Sequence, residues 1–211
     1  MLLEYIKRYK VGLAILAGMA LVLGGIAMAR AEGVSGKSKV AAEQPAYSWT
    51  GVYLGGHGSF ATGTLGDSGP IDLSATGPWA GLNAGANVQT GQIVWGVEFS
   101  YSWAFGDLSD VGLNNEMEFL GRVGYLWNPR TLVYVHGSYL QLDTSWGNFD
   151  GWGYGLGIET KTPMEGWSLD LRGGYKTYDV ENIHSDLEAN MLYVRLGLNK
   201  RFDMPVGWFG N

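Results

Sequence analysis

With 211 residues, no cysteine and a formal net charge of −6, the chain has room for one domain and cannot build a disulfide framework or a thiolate metal site. Its acidity argues against nucleic acid and against an anionic membrane surface as electrostatic partners. Glycine is heavily used (34) and proline is not (6), while nine tryptophans and twelve tyrosines are many for this length.

The first 31 residues differ from the rest. Lys7, Arg8 and Lys10 form a positive head, residues 11–27 are almost wholly apolar, and Ala29-Arg30-Ala31 is a small-x-small cleavage site. That order predicts a cleavable signal peptide over residues 1–31. Its removal takes away Lys7, Arg8, Lys10, Arg30 and Glu4, leaving ten basic and nineteen acidic residues, a net charge of −9. Residues 32–48, with Lys37, Lys39 and Pro45, have no apolar period and are expected to form a flexible periplasmic lead-in.

From there the pattern is alternation. Strand one (49–60) sets Val52, Leu54 and Phe60 against Tyr53, His57 and Ser59, and a long loop (61–77) follows. Strand two (79–89) sets Leu82, Ala84, Ala86 and Val88 against Asn83, Asn87 and Gln89, and Thr90-Gly91-Gln92 is a tight turn. Strand three (93–105) is the clearest. Ile93, Trp95, Val97, Phe99, Tyr101, Trp103 and Phe105 share one face, with Val94, Gly96, Glu98, Ser100, Ser102 and Ala104 on the other. After a loop (106–115), strand four (116–127) opposes Met117, Phe119, Val123, Tyr125 and Trp127 to Glu118, Leu120, Arg122 and Leu126.

Asn128-Pro129-Arg130-Thr131 turns the chain into strand five (132–142), with Val133, Val135 and Tyr139 against Tyr134, His136 and Ser138. Loop three covers 143–151. Strand six (152–161) alternates Tyr154, Leu156 and Ile158 with Gly155, Gly157 and Glu159, and residues 162–166 form the third short turn. Strand seven (167–178) opposes Leu169, Leu171 and Tyr175 to Asp170, Arg172 and Lys176, and loop four covers 179–189. Strand eight (191–202) sets Val194, Leu196, Leu198 and Phe202 against Tyr193, Arg195, Asn199 and Arg201, and residues 203–211 form a periplasmic tail.

Eight strands with large apolar residues on one face suit hydrocarbon outside and a filled interior. Lipid leaves no backbone polar group unpaired, so such a sheet must close. The predicted fold is an all-β, eight-stranded antiparallel up-and-down transmembrane β-barrel over residues 49–202, with short turns periplasmic and long loops outside. Trp49, Trp95, Trp127 and Trp167 near one end, and Trp79, Trp103 and Trp152 near the other, are expected to form two aromatic girdles.

Several segments carry a family likeness. Residues 47–55 (YSWTGVYLG), 81–99 (GLNAGANVQTGQIVWGVEF), 151–175 (GWGYGLGIETKTPMEGWSLDLRGGY) and 194–202 (VRLGLNKRF) resemble the opening, central and closing motifs of small alphaproteobacterial outer-membrane barrels. These are the opacity-protein type, similar to the transmembrane domain of outer membrane protein A. The resemblance covers nearly the whole chain after the leader, and implies outer-membrane localisation and insertion by the barrel-assembly machinery, with membrane lipid and lipopolysaccharide as surroundings. Two features depart from the family. Phe202 is not the last residue, and Arg172 stands where the family commonly has Glu.

Nine inward positions are charged: Glu98, Glu118, Arg122, Glu159, Asp170, Arg172, Lys176, Arg195 and Arg201. In a barrel too narrow for more than side chains they are expected to pair into a plug rather than line a pore. His57-Gly58-Ser59 and His136-Gly137-Ser138 each set His and Ser on one face, an arrangement found in a lipid A-modifying hydrolase. Neither has an evident acidic partner, so no catalytic residue is assigned. The loops hold Asp67, Asp72, Asp107, Asp110, Asp143, Asp150, Asp179, Glu181, Asp186 and Glu188, with no Lys or Arg. They keep the surface solvated and suit divalent cations, basic partners or a host receptor. His184 is a weak candidate haem ligand; no cofactor or metal is required. The expected function is structural, with surface binding as the alternative and lipid A hydrolysis behind both.

Overall fold

The computed structural model describes residues 48–65, 73–106, 112–145, 147–180 and 187–202. The expected leader (1–31), most of the lead-in, the tail (203–211), His184 and most of the acidic loop residues lie outside them. The described residues form eight strands: β1 (Gly51–Leu65), β2 (Leu73–Thr90), β3 (Ile93–Ala104), β4 (Leu113–Asn128), β5 (Thr131–Thr144), β6 (Gly147–Lys161), β7 (Trp167–Val180) and β8 (Leu187–Phe202).

Each strand pairs antiparallel with its chain neighbour, and β8 returns to β1 from Val52↔Phe202 to Leu65↔Ala189. Closure leaves no free edge, as the expected up-and-down barrel requires. Side chains sort by parity. Leu82 and Leu156 are 62% and 67% exposed on the outside, whereas Glu98, Glu118, Arg122, Glu159, Asp170, Arg172, Lys176, Arg195 and Arg201 are buried. Phe99 and Phe119 pair at 4.9 Å, as do Tyr139 and Trp152 at 5.4 Å, across adjacent strands.

All strands but β3, which ends one residue early, run further than alternation alone suggests, by two to six residues at the long-loop end and by at most one at the turn end. β1 continues past Phe60 to Leu65, β2 begins at Leu73 rather than Trp79, and β6 begins at Gly147 rather than Trp152. A ladder needs backbone partners, not hydrocarbon, so pairing continues beyond the last apolar outward residue. Pro78 sits inside β2 because β3 has ended there: Ala104 pairs with Trp79, and only the Pro78 carbonyl is used on that side, accepting from Phe105 N at 3.1 Å.

The short turns follow local chemistry. Gly91 (φ 61°) takes the left-handed conformation that the two-residue β2–β3 connection needs. At β4–β5, the Asn128 side chain accepts from Arg130 N at 2.9 Å. At β6–β7, Thr162 N donates to the Trp167 carbonyl (2.9 Å) and Gly166 has φ 75°.

Two of the seven expected girdle tryptophans point the other way. Trp49 (0% exposed) and Trp79 (5%) lie inside. Trp79 joins Leu113, Leu140, Leu142, Tyr178 and Met191 in an apolar layer at the loop end of the lumen. Trp49 joins Val94, Leu126, Leu132 and Tyr134 at the turn end. Trp95, Trp103, Trp127 and Trp152 are exposed on the outer surface, and Trp167 is half-buried.

A closed ladder opens only all at once. Unboiled and boiled samples are therefore expected to migrate differently in a denaturing gel, with a β-type circular-dichroism spectrum before boiling. Identical mobility with a helical spectrum would refute the closed barrel.

Candidate functional site in the lumen

Between the two apolar layers the lumen is polar, and its charges are matched. Five carboxylates (Glu98, Glu116, Glu118, Glu159, Asp170) face five cations (Arg122, Arg172, Lys176, Arg195, Arg201), all buried. Sequence reading had placed nine of these inside. Glu116 completes the balance, and it shares a face with Glu118, two residues on.

Two carboxylates anchor the network. Glu98 of β3 accepts from Arg172 (2.7 Å) and Arg195 (3.0 Å), and from the Tyr53 hydroxyl (2.8 Å). Glu159 of β6 forms an ion pair with Arg122 (2.9 Å) and accepts from Arg201 (3.2 Å) and Ser168 (2.6 Å). Arg172 also reaches Asp170 at 2.9 Å, and Asp170 accepts from Tyr134 at 2.5 Å. Its guanidinium thus bridges two carboxylates, Glu98 and Asp170. Nearer the loop end, Lys176 pairs with Glu116 at 2.5 Å and lies 3.8 Å from Glu118, and Tyr178 donates to Glu116.

Room for these groups comes from facing glycines. A Cβ on Gly85 would run into the Tyr53 ring, and one on Gly157 into the Tyr134 ring. Those two phenols flank Arg122, whose guanidinium carbon lies 5.2 Å and 5.0 Å from their ring centres.

Neither His-x-Ser pair is joined within itself. His57 Nε2 lies 3.0 Å from Ser102 Oγ, and its Nδ1 3.4 Å from Asn83 Oδ1. Asn83 donates to Asn199 (2.9 Å), and Asn199 to Glu159 (3.4 Å). With the Asn83 amide nitrogen engaged, its oxygen accepts from His57 Nδ1–H, and His57 Nε2 accepts from Ser102. His136 bonds to the Tyr193 hydroxyl at 3.2 Å. The His57 partner is thus an amide, which orients the ring but cannot stabilise an imidazolium as a carboxylate does.

A small cavity of about 20 Å³ lies here between His57, Trp79, Ser102, Glu118, Lys176 and Arg195. Among the described residues no group of three or more His, Asp or Glu side chains is arranged to hold a metal ion.

The turn end is stoppered by Trp49, two residues before β1. Trp49 N donates to Gln89 (2.8 Å), its indole N–H to the Pro129 carbonyl (3.2 Å), and its carbonyl accepts from Arg201 (2.7 Å). Its ring lies between Arg201 and Lys161, at 4.6 Å and 5.1 Å.

Removing one partner from a buried ion network strands the others. Glu98→Ala is expected to lower unfolding free energy by about 3–5 kcal/mol, read by urea titration of tryptophan fluorescence in lipid vesicles. Asn114→Ala, at an exposed position of the loop end, should stay within about 0.5 kcal/mol. Equal effects would show that the lumen charges contribute no more than surface groups.

Trp49→Ala is expected to cost about 3–5 kcal/mol, through a cavity and the loss of the indole hydrogen bond. A change under about 1 kcal/mol in the same titration would mean that the stopper is only loosely seated.

The family model described as the outer membrane protein beta-barrel domain matches residues 18–199. The 22 kDa outer membrane protein of Rhizobium leguminosarum bv. viciae is 30% identical over 175 residues, covering 75% of this chain and 81% of that protein. The 25 kDa outer-membrane immunogenic protein of Brucella suis biovar 1 (strain 1330) is 33% identical over 179 residues, with the same coverage. Among solved structures, Neisserial surface protein A aligns at a TM-score of 0.43 with 15% identity, covering 72% of this chain and 98% of its own. The protein is thus one of the outer membrane of Gram-negative bacteria. An alternating eight-strand sequence, a closed barrel with an apolar exterior, and these relatives agree: the chain belongs to the outer membrane protein β-barrel family.

Proposed function

We propose that this protein is a sealed structural element of the outer membrane, exported through residues 1–31 and inserted by the barrel-assembly machinery. One observation carries the reading: five buried carboxylates and five buried cations neutralise each other across the lumen. A lumen packed with paired side chains and capped by apolar layers leaves no continuous water column for ions. The amide behind His57 supports a non-enzymatic role.

The loops give a second role, contact with the outside. Ten acidic residues and no Lys or Arg fall in the four loop regions. That composition suits divalent cations, which would bridge to lipopolysaccharide phosphates, or a basic partner.

Purified protein in planar bilayers is expected to give no stable conductance. Steady, large openings would overturn the sealed reading. Orientation follows from loop length. A Cys replacing exposed Asn114, at the loop end, should react with a membrane-impermeant maleimide on intact cells. One replacing Glu165, in the β6–β7 turn, should react only after the outer membrane is breached. The reverse pattern would remove the acidic loops as an outside surface.

A further inference from the structure

The lumen pairs its charges in two ways. Glu98 and Glu159 hold their guanidinium partners directly, at 2.7–3.2 Å. Glu118 of β4 does not. Its Oε2 lies 3.8 Å from Lys176 Nζ and 3.9 Å from Arg195 Nη1, beyond hydrogen-bond reach of both, and the Ser100 hydroxyl approaches it only to 3.5 Å. Ser138 lies beside the same carboxylate, outside hydrogen-bond geometry. Among the described residues, Glu118 Oε1 and Arg195 Nε have no hydrogen-bond partner, although both side chains are only 4% exposed. Charged groups at that depth are costly unless their lone pairs and protons are satisfied.

The under-satisfied groups adjoin a space. The cavity of about 20 Å³ between His57, Trp79, Ser102, Glu118, Lys176 and Arg195 matches one water molecule. Its walls set Glu116 and Glu118 against Lys176 and Arg195, so they sum to neutral and offer an ion no net attraction. Polar cavities of this kind fill with water, whereas those that stay dry are apolar. The donors and acceptors also match. Lys176 and Arg195 only donate, and the Glu118 carboxylate only accepts. The Ser102 hydroxyl gives its proton to His57, which leaves its oxygen as an acceptor. Two donors and two acceptors are the full complement of one water.

We propose that this cavity is a binding site for a single ordered water, which accepts from Lys176 and Arg195 and donates to Glu118 and Ser102. Atoms 3.8–3.9 Å apart share such a water when it lies beside the line that joins them. The ion pairs of Glu118 are then water-mediated, while those of Glu98 and Glu159 are direct. The network is hydrated at one point, toward the loop end, and dry around Glu159 and Trp49. Conductance tests the sealed reading separately, so the two can fail apart.

The test uses the full barrel, isotope-labelled in lipid bilayers, and water-edited solid-state NMR, in which magnetisation starts on water and passes to nearby carbons. At short mixing times the Glu118 carboxyl carbon is expected to receive it, and those of Glu159 and Asp170 are not. Ala61→Val pushes methyl groups into the cavity from β1. In a barrel that remains heat-modifiable in gels, it should reduce the Glu118 signal to the level of Glu159. Crystals of the wild type should show one water within hydrogen-bond distance of Glu118, Lys176 and Arg195. These wild-type measurements suffice if Ala61→Val does not fold. No transfer to Glu118, or equal transfer to Glu159 and Asp170, would overturn the proposal. So would a chain of waters in place of one, or a Glu118 signal that survives in folded Ala61→Val.

Discussion

The pairing of β1 with β8 is the constraint on which everything else depends. It removes the last free edge of the sheet, as hydrocarbon demands, and fixes a lumen only wide enough for side chains. Every inward residue must then fit against those of the other strands. Large groups face glycines, as Tyr53 faces Gly85 and Tyr134 faces Gly157. Charges face opposite charges, because one left over would have neither bulk water nor a partner.

The network that results is layered. An aromatic and aliphatic lid closes each end, and the ion pairs lie between. Glu98 and Glu159 each gather two cations from different strands, so the pairs tie together strands that do not share a ladder. Arg122 of β4 reaches Glu159 of β6, and Arg172 of β7 reaches Glu98 of β3, crossing the lumen. The ladder holds neighbours together; the ion pairs hold the barrel's cross-section.

Much of this was legible in alternation. The strand count, the three short turns and the inward faces follow from a period of two, because that period is a property of the pleat. The misplaced tryptophans show where residue type was allowed to outrank register. Val52 and Leu54 face outward on β1, and Leu82 and Ala84 do so on β2. Trp79 is odd-numbered on β2, and Trp49, just before β1, continues the odd parity of Tyr53 and His57, so both belong inside; Glu116 follows from Glu118 in the same way. The upper ends of the strands left no such trace, since pairing above the apolar belt imposes no hydrophobic pattern. Cross-lumen partners such as Arg172 and Glu98 were also illegible. They depend on the stagger of the closed barrel, which no single strand encodes.

Trp49 has a consequence for the order of assembly. Its contacts come from β2, the β4–β5 turn, β6 and β8, which surround it from separate parts of the chain. No partly formed sheet offers all four at once. The segment entering β1 can therefore seat its indole only once the last strand is in place, although it is made long before that strand. Synthesis begins the barrel at this end, and folding finishes there, so the seated indole is a chemical record that the circle has been completed.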